Sequence, residues 1–183
     1  QASMKTGKYD YDTLVAKPDM VLTEVDDTVQ YSTDSKSKKN IVNEAKKNAA
    51  IIGRTNENGG VEVYVDDIGV NVVLATDGLK HGLDRRTQLL APVTVNAGQI
   101  LKNAIRINEL LPRKDTIANT YALLGAARGK SGDVYIVEFV VNRFDNTVAS
   151  MDVLYSVNTK KESAALNAPR VSRPRYRFHY QYS

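Results

Sequence analysis

Three β-rich runs, NTYALLGAA, VYIVEFVV and TVASMDVLYSV, succeed one another between Asn119 and Val157, separated only by RGKSGD and NRFDN. Runs of ordinary strand length joined by short loops with strong turn chemistry pair with their neighbours, so this stretch predicts an antiparallel meander. Helical patterns precede it. Helices first and adjacent strands afterwards is the order of an α+β domain, with N-terminal helices packed on one face of a small antiparallel sheet and the other face open to a ligand.

The first helical pattern repeats Ile41, Ala45, Ala49 and Ile52, with Ser35 or Ser37 as its cap and Gly53 as its stop. TNENGG then signals a turn. Val61, Val63 and Val65 alternate with Glu62 and Tyr64 as a half-buried strand, and a second short apolar run covers Val70 to Leu74. Gly78 to Leu90 is compatible with helix or irregular chain, because two glycines interrupt it. A stronger pattern runs from Asn96 to Leu111. At 100° per residue, Ala97, Ile100, Leu101, Ala104, Ile107 and Leu111 share one face, Asn108 falls in its middle, Glu109 at its edge, and Pro112 ends it.

With 183 residues, 42% of them hydrophobic and 25% charged, the chain has the size and composition of one globular domain with tails. Residues 1–36 read as a linker or N-terminal extension that contributes a strand or turn, 37–170 as the domain, and 171–183 as a basic-aromatic tail. The residues ahead of Met4 read as a scar, which predicts a piece of a longer polypeptide. No apolar run reaches membrane-spanning length, and QASMKTGKYDYD has no signal-peptide core. The chain has no cysteine and two histidines, His81 and His179, which excludes disulfide scaffolds, thiol catalysis and cysteine metal sites. No metal and no cofactor are expected. From Ser156 onward six cations stand against Glu162, a net of +5, so of the total +4 the rest carries −1. Any basic patch on the folded part has to arise from local clustering.

The blocks KKNAAIIGRTNENGG, VYVDDIG, LKHGLDRR, IRINELLPRK, NTYALLGAA, VYIVEFVVNRF and MDVLYSVNTKKESAALNAPR, in this order across residues 38–170, resemble the C-terminal toxin-like domain of MuF-type head-morphogenesis proteins and polyvalent proteins of bacterial prophages. That group is similar to the barnase/EndoU/colicin/RelE-like nuclease assemblage. The resemblance implies helices against a small antiparallel sheet and metal-independent cleavage of cellular RNA, tRNA included. It also implies an immunity or antitoxin protein as partner, membership of a larger phage polypeptide, and action in the bacterial cytoplasm of a host or target cell, after virion-associated or secretory delivery.

Such cleavage uses the ribose 2′-hydroxyl as nucleophile. The protein must supply a base for that hydroxyl, an acid for the departing 5′-oxygen, and donors for the charged phosphorane. His81 is the natural proton carrier. Arg85, four residues on, shares its face in a helix and in a strand alike, whereas Arg86 points elsewhere and is a substrate contact at most. Asn108, an amide on an apolar helix face, needs hydrogen bonds from a loop or a nucleotide. Glu109 is a candidate base once buried. Glu138 interrupts the apolar row Val134, Ile136, Val140 that ends in Asn142, and Asp152 lies with Ser150 and Ser156 on a polar strand face. Tyr121 can stack a nucleobase. Each also has a plain structural role open to it: solvated charge for the arginines, core packing for Tyr121, solvent face for Asp152.

Two further readings compete. A mono-ADP-ribosyltransferase toxin would use His81, Tyr121 and Glu138, which occur in that order. A non-enzymatic head-associated module would bind nucleic acid or protein without turnover.

Overall fold

A computed structural model describes residues 22–32, 34–83, 87–110, 119–144 and 148–158. Arg85, Arg86 and the basic-aromatic tail lie outside these residues.

Helix α1 (Ser35–Ile52) begins at Asp34, whose carboxylate accepts the backbone N–H of Ser37 at 2.7 Å. The cap is therefore Asp34, one position ahead of Ser35, because Ser35 and Ser37 already lie inside the helix as its first and third residues. Ile41, Val42, Ala45 and Ala49 form its buried face. Strands β1 (Leu22–Val25), β2 (Arg54–Thr55), β3 (Val61–Val65) and β4 (Val70–Leu74) lie around it in sequence. Then come three short helices, α2 (Thr76–Leu83), α3 (Thr87–Thr94) and α4 (Ala97–Lys102), and four strands, β5 (Ile105–Leu110), β6 (Asn119–Gly129), β7 (Val134–Arg143) and β8 (Val148–Asn158). The Gly78 to Leu90 stretch is thus split between two helices.

The meander β6–β7–β8 forms with antiparallel registers, Leu123 opposite Phe139 and Phe139 opposite Leu154, with one shift between β7 and β8. It is only the middle of the sheet. The strand order is β1-β6-β7-β8-β4-β3-β2, with β5 sharing the β1 edge of β6. β1 runs parallel to β6 and β4 parallel to β8. The expectation of N-terminal helices on a small antiparallel sheet is corrected by this arrangement: eight strands make one mixed sheet that curls into a half-barrel. A free edge on β8 exposes backbone groups that another strand can satisfy, and β4 does so in parallel, the chain between the two passing through three helices and β5 to β7.

The helix expected over Asn96 to Leu111 ends at Lys102, and Ile105–Leu110 is strand β5, antiparallel to β6. Ala97, Ile100, Leu101 and Ala104 keep the buried positions the helical pattern assigned. Beyond Asn103, Ile105 and Ile107 alternate with Arg106 and Asn108, which fits a strand equally well. The unpaired edge of β6 decides between the two periods.

The helices cover one sheet face. Their core joins Leu79, Leu83, Ile100 and Leu101 to Leu123, Val137, Phe139, Val141 and Met151. Packing is close at two glycines: a Cβ at Gly78 would collide with the Met151 carbonyl oxygen, and one at Gly125 would lie 2.8 Å from Ile100 Cγ2. α2 therefore rests directly on β8 and α4 on β6. On the opposite face Ala122, Leu124, Ala126, Ile136 and Val140 are buried as well. A sheet covered on both sides takes near-continuous apolar strands, as ALLGAA and VYIVEFVV are. The second face of the meander is accordingly no open ligand platform at these positions.

β1 is held by a latch. Lys130 N donates to Val25 O at 3.0 Å, and Asp27 accepts from Ser131 N at 2.9 Å, from Ser131 Oγ, and from Tyr135 Oη at 2.9 Å. Partial burial pushes the Asp27 carboxyl up, but the hydrogen bonds from Ser131 and Tyr135 outweigh it and hold it below its ordinary 3.8. Burial first, then Asp27, pushes the Tyr135 hydroxyl up. A carboxyl lowered in the folded state contributes stability that is complete above its ordinary value and lost as pH falls through the lowered one. Asp27→Asn is expected to cost about 1–2 kcal/mol near neutral pH and to narrow the gap between urea midpoints at neutral and strongly acidic pH. An unchanged gap would remove the latch from the acid response.

Candidate functional site

The lysine groove of α1 and α2 is the most chemically distinctive surface on the described residues. Ser35, Lys38, Lys39, Val42 and Asn43 line one side at three- and four-residue intervals, and Thr76 and Lys80, one turn apart on α2, line the other. The groove measures about 650 Å³. Lys46, one turn further along α1, donates from Nζ to Thr76 Oγ1 at 2.6 Å, which brings a fourth ammonium to it. No carboxylate is among the described residues that line it. The basic patch on the nearly neutral body is thus a local cluster. Its signal was present in the sequence as Ser35, Lys38, Lys39, Asn43 and Lys46 at helical spacing.

His81 is exposed on α2. It follows Lys80 directly and so stands about 100° further round the helix, on the outward flank with Asp77 rather than on the groove wall. Leu79 and Leu83, both buried, hold the helix in place.

Tyr121 is 5% exposed and belongs to the helix-side core. Its ring faces the Arg106 guanidinium at 5.8 Å, and the Arg106 backbone N–H donates to Asp67 Oδ2 at 2.7 Å. Glu138 is 2% exposed, on the other sheet face with Ile136 and Val140, opposite Leu124 and in register with Tyr155. Asn142 Oδ1 accepts from Thr120 Oγ1 at 2.9 Å, a bond between register partners on β7 and β6.

For Asn108, Glu109 and Asp152 the backbone alone is described. Asn108 sits opposite Ala122 and Glu109 opposite Tyr121, just past a register shift that leaves Ile107 as the extra residue of a bulge. On β8, Val153 pairs with Val140 and Met151 with Val141, so Asp152 is the extra residue of a second bulge. Both bulges fall at the same level of the sheet, beside Ala122 and Val140.

The candidates are therefore not gathered at one place. Tyr121 and Glu138 lie on opposite faces of the sheet, and His81 is on an outer helix surface. Among the described residues no three His, Cys, Asp or Glu side chains converge to hold a metal ion, and no helix is long and apolar enough to cross a membrane. Fold and groove together define an α/β protein with a curled mixed sheet and a cationic cleft between two of its helices. Compared with protein-family models, curated proteins and solved structures, the chain finds no match.

Proposed function

We propose that this protein is a toxin domain that cleaves cellular RNA without a metal ion, with His81 as its proton carrier. The observation that carries the reading is the exposed imidazole of His81, next in sequence to Lys80, which lines a groove of lysines. In the step envisaged, His81 takes the proton of a ribose 2′-hydroxyl and the 2′-oxygen bonds to phosphorus. The bond from phosphorus to the 5′-oxygen then breaks, that oxygen takes a proton from water and His81 returns its own to the hydroxide so formed, leaving a 2′,3′-cyclic phosphate and a 5′-hydroxyl. Lysines nearby stabilise the additional negative charge of the phosphorane. A cytoplasmic immunity protein fits the same scheme as a partner that covers the groove with carboxylates.

Incubation of the purified protein with total RNA in EDTA tests this. Fragments with cyclic-phosphate ends are the expected product, and intact RNA would refute it. A specific observation favours a second reading: His81 lies off the groove wall, as it would in a module that binds nucleic acid without turnover. RNA bound but uncut would select that reading. Modification seen only with NAD would select an ADP-ribosyltransferase, whose trio His81, Tyr121 and Glu138 has no common surface among the described residues.

A further inference from the structure

Lys39 and Lys46 are seven residues apart and within about 20° of one stripe of α1, a separation of about 10 Å along the axis. Lys38 precedes Lys39, about 100° round the helix, and Lys80 lines the groove from α2. An elongated row of ammonium groups is complemented better by a ligand whose own charges repeat along a line than by one compact anion. The uncharged lining residues Ser35, Asn43 and Thr76 carry hydroxyl and amide groups suited to phosphate oxygens and to the ribose 2′-hydroxyl. Val42 forms the apolar part of the wall, and no tyrosine or phenylalanine is among the described lining residues. Tyr121, the stacking candidate, is packed in the core. The described lining thus has what phosphate contact needs, and no platform for bases is among it.

We infer that the α1–α2 groove is a subsite that tracks the RNA backbone, gripping successive phosphates through Lys38, Lys39, Lys46 and Lys80 without reading base identity. The inference rests on the ribonuclease reading and adds to it where the strand lies and how it is selected. Specificity for a particular RNA then comes from its shape or from another surface.

The test is fluorescence anisotropy with labelled 2′-O-methyl oligonucleotides, which lack the nucleophilic hydroxyl and stay intact. Lys38→Gln/Lys39→Gln/Lys80→Gln removes the charges with little loss of side-chain length. Lys47→Gln/Lys102→Gln/Lys130→Gln removes three charges that do not line the groove. The groove triple is expected to bind about tenfold more weakly at low salt and to lower the salt slope of log K by about two, whereas the control triple stays within about threefold of wild type. Oligo-A and oligo-U are expected to be affected alike. Unchanged affinity of the groove triple, an equal loss in the control triple, or binding to anionic phosphatidylglycerol vesicles in place of RNA would overturn the inference. Groove-dependent binding with total RNA left uncut would sink the ribonuclease reading alone. Cutting by a protein whose groove triple binds like wild type would sink the groove alone.

Discussion

Replacing His81 by alanine is expected to slow RNA cleavage roughly 10²–10⁴-fold, the usual worth of a positioned acid–base group. The unfolding midpoint should move by no more than about 2 °C, because the ring is exposed and buries little surface. The helix beneath it depends on other residues: Leu79 and Leu83 anchor α2, and Gly78 lets it lie against Met151. The two readouts together discriminate. Lost cleavage with an unchanged midpoint identifies a catalytic residue. Lost cleavage with a large fall in stability makes the imidazole structural, and retained cleavage removes it from the reaction. RNA binding in the His81→Ala protein should match wild type, since the groove lysines are untouched.

Phe139→Ala is expected to cost about 3–5 kcal/mol, the range for truncating a fully buried aromatic side chain. In a chain of this size that lowers the unfolding midpoint by roughly 10 °C. Phe139 is 0% exposed on β7, the strand flanked by the longest registers of the sheet, and it faces the helix-side core. Deletion of its ring leaves a cavity between helices that cannot close without moving β6 or β8. Phe139→Leu, which keeps most of the volume, should cost about 1 kcal/mol. Chemical denaturation measures both. A loss below about 1 kcal/mol for the alanine variant would mean that this strand is not the centre of the fold.

Part of this architecture could be read directly. Helix α1, the β3–β4 pair and the β6–β7–β8 meander follow from contacts between residues close in sequence, and each leaves a local trace in periodicity or turn chemistry. β5 shows where that reading stops. Its residues satisfy a helical period as well as an alternating one, and the edge of β6 made the choice. The exposure of Glu138 was equally ambiguous, since a carboxylate in an alternating row can face solvent or lie, as here, on a covered second face. The lysine groove needed both kinds of information: its α1 stripe is visible in the spacing, but Lys80 joins it only once α2 has docked.

By itself, the sequence determined the elements whose partners are near neighbours, the absence of thiol chemistry, and the need for any basic surface to be a local cluster. The tertiary structure alone decided that β1 and β4 extend the meander in parallel, that both its faces are covered, and that Tyr121 and Glu138 point away from each other. The physical reason is that pairing between distant strands is set by which backbone edges remain unsatisfied after local folding. Those edges belong to the assembled sheet and leave no mark on any short stretch of residues.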